Sequence, residues 1–143
     1  AISSDNTVFV AAFHCVKKFT LEGRFIASVG SKGSGRLQFD TPFAIAYNHT
    51  NNRVYVCDTL NHRITILNHD FTFHGSFGST GSKAGQFNKP EGISVSRNGN
   101  VLVADFSNNR IKILDANGYH LSSITNTGAG ERLGTTTQCG SWT

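Results

Sequence analysis

Asn61 to Leu67 reads NHRITIL, and 47 residues further on Asn108 to Leu114 reads NNRIKIL. An aspartate stands three residues ahead of each copy, Asp58 and Asp105. Either the stretch performs the same chemistry twice, or it is a structural unit repeated in series. The surrounding sequence decides for the second. VGSKGSGRLQFDTPFAIA (Val29 to Ala46) matches FGSTGSKAGQFNKPEGIS (Phe77 to Ser94), with Gly30 and Gly78, Phe39 and Phe87, and Pro42 and Pro90 each 48 residues apart. A third, worn copy begins at VFVAAF (Val8 to Phe13); it is two residues shorter in the middle and lacks both the Asp and the Arg.

Each full unit reads as four short strands: AIAY, VYVCD, ITIL and FTFHGSF, then ISVS, VLVAD, IKIL and YHLSSI. Short runs rich in β-branched and aromatic residues, punctuated by N-N, N-G and G-S, are strands rather than helices. RNGN (Arg97 to Asn100) is a tight hairpin signal, because Asn-Gly tolerates the positive φ of such turns. Four antiparallel strands per period of roughly 40–50 residues are the blades of a β-propeller. The fold class is therefore all-β, with about three blades.

The pattern P-x-G-I-x-V-x-x-x-G-x-V-x-V-A-D-x-x-N-x-R-I-x-I-L, clearest from Pro90 to Leu114, resembles the NHL repeat. The resemblance implies blade 1 over 1–43, blade 2 over 44–92, blade 3 over 93–125 and an irregular tail over 126–143, half of an expected six-bladed ring. It is strongest to the NHL regions of tripartite-motif proteins, in which one face of the disc binds RNA or protein partners. It therefore implies a non-enzymatic recognition module from a ubiquitin ligase whose RING domain lies elsewhere. The alternative it offers is an extracellular enzyme of the peptide-amidating lyase kind, with a central zinc.

Composition sets outer limits. A chain of 143 residues, 38% hydrophobic and 15% charged, is too apolar to be disordered and large enough for a core. Its longest apolar run, Val8 to Phe13, is far short of a membrane span, and no signal peptide is visible at the N-terminus. Cys15, Cys57 and Cys139, odd in number and widely spaced, favour a reducing, cytoplasmic setting over a disulfide framework or a zinc site. The net charge of +4 permits nucleic-acid binding without requiring it. Blades have two apolar faces, so an open arc of three would leave one bare at each end. Further blades of a parent chain, or a second chain, are expected to close the ring.

The repeated polar residues read as staples. Asp58, Asn61 and Arg63, and Asp105, Asn108 and Arg110, sit where a second strand turns into a third. The Asp is expected to accept local backbone N–H groups and pair with the Arg fork, while the Asn forms the turn itself. Six histidines, His14, His49, His62, His69, His74 and His120, share no ligand spacing, so neither metal nor cofactor is expected. GSKGSG (Gly30 to Gly35) lacks a following helix and reads as an inter-blade linker rather than a phosphate cradle.

Partner contact is expected from the neighbours that differ between copies. Mapped through the repeat, one face gathers Phe43, Leu60, His62, Lys89, Phe106 and Asn109. An aromatic residue in an exposed loop offers a platform for a base or a plug for a pocket. Lys32, Arg36, Lys83 and Arg97 are expected to add positive charge nearby, whereas Asp40 and Glu91 interrupt it. The sequon Asn48-His49-Thr50 would matter only in a secreted protein.

Overall fold

A computed structural model describes residues 1–125 of the chain. The expected irregular tail, 126–143, which carries Cys139 and Trp142, lies outside the described residues. The architecture is three antiparallel sheets in chain order. Sheet one is β1 (Val8–Ala12), β2 (Cys15–Phe19) and β3 (Phe25–Val29). A short parallel pair, β4 (Ser31–Lys32) and β5 (Gln38–Phe39), forms the first linker. Sheet two is β6 (Pro42–Asn48), β7 (Arg53–Asp58), β8 (Arg63–Asn68) and β9 (Phe73–Phe77). Sheet three is β10 (Pro90–Val95), β11 (Val101–Asp105), β12 (Arg110–Leu114) and β13 (His120–Thr125). No helix among the described residues is long and apolar enough to cross a membrane.

These meanders are propeller blades, and their sequence shows why they stack. In β7, RVYVCD, every residue from Val54 to Asp58 is buried, so both faces of the strand need a neighbour. Alternation divides them. Val54 and Val56 join Phe9, Val16, Phe39, Tyr47, Leu67 and Phe71 in a core between blades 1 and 2. Tyr55 and Cys57 join Ile64, Ile66, Phe87, Val101, Val103 and Leu114 in a core between blades 2 and 3. The linkers close each seam with an aromatic plug, Phe39 or Phe87, both fully buried. Gly30 and Gly78 make room for it: φ is +114° and +103°, and a Cβ would lie 2.7 and 2.5 Å from the ring carbons.

Three strand starts differ by two residues or more from the alternation in the sequence; β10 begins at Pro90 rather than Ile93, because Pro90 pairs with Asp105 across a bulge before Gly92. β6 begins at Pro42 rather than Ala44, because Pro42 pairs with Asp58 across a bulge before Ile45. β9 begins at Phe73 rather than Phe71, because Phe71 adopts a left-handed turn conformation (φ 73°).

Candidate recognition face

The corners between second and third strands are built around a buried carboxylate. Asp58 and Asp105 have no solvent exposure. Oδ1 of Asp58 accepts the Asp40 backbone N–H at 2.7 Å, while Oδ2 accepts Asn61 Nδ2 at 2.9 Å and Arg63 Nε at 2.8 Å. Asp105 repeats this with the Asn88 N–H at 2.7 Å, Asn108 Nδ2 at 2.8 Å and Arg110 Nε at 2.8 Å. The rest of each guanidinium donates to linker carbonyls: Ser34, Gly35 and Gln38 for Arg63, and Ser82, Lys83 and Gln86 for Arg110. Each Asn Nδ2 adds Gly33 or Gly81. All three residue types are thus engaged in the fold. A buried ion pair is stable only when its remaining donors and acceptors are also met, and here they are.

This geometry differs from the local turn anticipated above. The Asp binds a backbone N–H 18 or 17 residues upstream rather than one in its own turn. The turn itself is a single 3-10 stretch, Thr59–Asn61 or Phe106–Asn108, closed by backbone bonds. The left-handed position falls on His62 (φ 53°) and Asn109 (φ 50°), one residue after the Asn. The staple is long-range because the linker must be tied to its blade.

His62 also sits differently from a free contact residue. It is half-buried, and its Nδ1 accepts the Lys89 N–H at 3.1 Å, bridging blade 2 to the entry of blade 3. His14 does the same one seam earlier, accepting the Thr41 N–H at 3.3 Å with Asp40 3.8 Å away. Its turn is left-handed as well (φ 59°).

What remains accessible at this end is largely apolar. Phe43 is 64% exposed, Phe106 51% and Leu60 44%. Lys89 and Asn109 are exposed beside them. Sequence reasoning missed Phe13, at 81% the most exposed large apolar residue among the described residues. The one available signal was its place beside His14 in the shortened corner of the worn copy. Arg97, by contrast, lies in the β10–β11 hairpin, at the opposite end of the strands from the corners. Arg36 stacks over the Phe73 ring, 5.3 Å from its centroid.

The opposite end holds a second polar group. His69 Nε2 lies 3.2 Å from Asp5 Oδ2, and its Nδ1 lies 3.2 Å from the Tyr47 hydroxyl, which reaches Asn52 Oδ1 at 3.2 Å. The Ser3 hydroxyl, then Thr7, holds the Asp5 carboxyl down at about 2. Burial raises the Tyr47 phenol. These contacts latch the N-terminal turn of blade 1 onto blade 2. Asn48 is fully buried, its Nδ2 donating to the Gly99 carbonyl at 3.4 Å, so the sequon offers no acceptor on the folded surface. Burial likewise pushes the Cys57 thiol up, which leaves it unreactive. Among the described residues no three His, Cys, Asp or Glu side chains come together in a group able to hold a metal.

Comparison with known proteins gives the repeat its name. The model of the NHL repeat matches residues 39–67 and 87–114, so the chain carries NHL repeats. NHL repeat-containing protein 3 of Homo sapiens is 32% identical over 110 residues, covering 71% of this chain and 31% of that protein. Protein lin-41 of Caenorhabditis elegans is 47% identical over 47 residues, 33% of this chain and 4% of that one. The chain therefore spans about a third or less of the relatives it matches. Among solved structures, virginiamycin B lyase from Staphylococcus aureus superposes with a TM-score of 0.70 at 13% identity, over 92% of this chain and 42% of that one. A chain of a nidogen/laminin complex does so at 0.65 and 20% identity, over 85% and 48%. At such identities the likeness is one of fold.

Proposed function

We propose that this chain, a carrier of NHL repeats, is a non-enzymatic recognition module that takes its partner on the corner end of the blades. The observation that carries the reading is a division of labour. Asp, Asn and Arg at the corners of blades 2 and 3 are engaged in the fold, while Phe43, Leu60 and Phe106 stand exposed beside them and Phe13 at the clampless corner of blade 1. Apolar anchors spaced over a rigid face suit a protein segment with matching side chains. Asp40 and Glu91 interrupt the positive charge, which also favours protein. A single-stranded RNA is the second reading, favoured by Phe43 and Phe106 as stacking platforms beside Lys89. The setting is that of a tripartite-motif-type ubiquitin ligase in the cytoplasm, in keeping with the similarity to lin-41 and with reduced Cys15 and Cys57.

Fluorescence anisotropy with single-stranded RNA at several salt concentrations separates the two. If RNA is the ligand, Phe43→Ala and Phe106→Ala each weaken binding ~10-fold or more, and affinity falls steeply with salt. No salt slope and no effect of either substitution would overturn the RNA reading. The protein reading then requires that the same substitutions, with Phe13→Ala, weaken binding to peptides selected on this chain. Selection that yields only binders insensitive to all three would overturn it.

A further inference from the structure

Each internal seam is crossed at the corner end by one peptide unit held at both ends. The Asn88 carbonyl accepts the Ser107 N–H at 3.0 Å, and the N–H of the same unit, on Lys89, donates to His62 Nδ1. One seam earlier the Asp40 carbonyl accepts the Leu60 N–H at 3.1 Å, and the Thr41 N–H donates to His14 Nδ1. The unit thus ties the corner of the later blade to the corner of the earlier one. Its backbone is left-handed throughout, with φ 59° and 53° at His14 and His62, and 52° and 53° at Thr41 and Lys89. Such values are uncommon outside glycine, and at β-branched Thr41 the surroundings must enforce them. Pro42 and Pro90 follow at once and open β6 and β10, so the bridge fixes where Phe43 and Lys89 stand.

A backbone N–H can only donate, so each Nδ1 carries no proton while the bridge is made. An added proton turns this acceptor into a second donor facing the N–H, and the bond is lost. The two seams then differ by one residue, because Asp40 becomes Asn88 in the repeat. Beside His14 the Asp40 carboxylate lies 3.8 Å from Nδ1, where it also accepts the Thr41 hydroxyl, and the Phe13 ring is 4.0 Å away. A protonated His14 can therefore pair with the entry segment it has ceased to accept from. Among the described residues no carboxylate lies within 4.0 Å of a His62 nitrogen. The charged groups brought to that bridge are Lys89 and Glu91 at the entry of blade 3, and Asp58 and Arg63 at the corner of blade 2. Asp58 is already committed to Arg63, Asn61 and the Asp40 N–H.

We propose that His62 is a pH-sensitive positioning residue of the corner end. Neutral, it fixes the entry of blade 3; protonated, it releases Lys89 and the start of β10. His14, backed by Asp40, keeps the entry of blade 2 and Phe43 in place in both states. That this changes partner binding rests on the reading of this end as the recognition face; the latch itself does not.

Amide NMR of the chain across roughly pH 5–8, where imidazoles gain a proton, tests the latch without any partner. The Lys89 and Thr41 amides should both follow their rings. As pH falls, Ser107 should lose ~10-fold or more of its exchange protection, and Leu60 less than ~2-fold. His62→Asn, which places there the residue that blade 3 has at the same left-handed corner position, Asn109, removes the Ser107 response. Asn88→Asp removes it too, and Asp40→Asn creates one at Leu60. The dispersion of the remaining amides shows that each variant is folded. Equal losses at Ser107 and Leu60, no loss at either, or a Ser107 loss that survives His62→Asn or Asn88→Asp would overturn the latch. Peptides selected on the chain at neutral pH, and weakened by Lys89→Ala, should bind ~3-fold or more weakly at the acidic end, but not to the Asn88→Asp variant. Binding indifferent to pH beside a working latch would overturn its control of the face. Failure to select any peptide, with the amide responses as expected, would count against the recognition reading and leave the latch standing.

Discussion

Phe71 shows what a single position costs and returns. Its turn, which leads into the last strand of blade 2, has the same backbone bonds as the turns leading into the last strands of blades 1 and 3, and there the equivalent residues are Gly23 and Gly118, at φ 90° and 92°. A left-handed conformation is costly for a bulky residue, ~1 kcal/mol or more, which glycine does not incur. Burial offsets the cost. Phe71 is 7% exposed, meets the Phe9 ring edge-on at 5.8 Å, and lies under the Lys18 ammonium, 4.7 Å from its ring centre. Phe71→Ala therefore loses the packing and keeps the strain, and is expected to cost ~3 kcal/mol. Phe71→Gly loses the same packing but relieves the strain, so it should be the milder change by about 1 kcal/mol. Urea unfolding decides it: an alanine variant as stable as the glycine variant would mean that the positive φ is not strained.

At the scale of the element, the corner clamp and the strand that follows it carry distinct expectations. Arg63→Ala strands a fully buried carboxylate and releases three linker carbonyls, which should cost ~3–5 kcal/mol. Arg63→Lys should recover only part, since an ammonium cannot span the carboxylate and the carbonyls together. A loss below ~1 kcal/mol in urea unfolding would show that Asp58 is satisfied without its arginine. Lys112 is fully buried in β12, donating to the carbonyls of Ala84 and Gln86 with its ammonium 4.1 Å from the Phe87 ring centre. Desolvation, helped by the Arg110 cation and partly opposed by Asp105, lowers its pKa from 10.5 to about 8. Between those values the unfolded chain holds a proton that the folded chain has released, so stability should rise with pH across that window, by ~1–3 kcal/mol. Lys112→Met should flatten the rise; an unchanged slope would place the titrating group elsewhere. Blade 2 has Thr65 at this position, with a buried hydroxyl that has no partner, and Leu37 in the linker where blade 3 has Gly85. Much of this was legible in the sequence because it repeats: Asp, Asn and Arg at one spacing, and four strands per unit. The bonding of the Asp was not, because its partner N–H lies in the preceding linker and no local pattern points there. Lys112 was equally opaque, since only the Phe87 plug and two backbone carbonyls make a core position habitable for an ammonium. Phe13 escaped notice because the worn copy had lost the landmarks that mark the corner in the others.

Over the whole molecule, stability is the sum of what each blade holds and what each seam adds. Blade 2 contributes to both cores and has a complete clamp. Blade 3 has a clamp but only one core seam. Blade 1 has one core seam and no clamp: Ala12 and Cys15 pair where Asp58 pairs with Arg63 and Asp105 with Arg110. Its last strand is also mostly exposed. Amide hydrogen exchange should therefore be slowest in β7 and β8, faster in β11 and β12, and fastest in β1 to β3. The order is a direct reading of buried contacts per blade, because opening a blade costs the seams that it leaves. Equal exchange across all three sheets would instead make the arc a single cooperative unit, with the clamps adding nothing that the shared cores do not already supply.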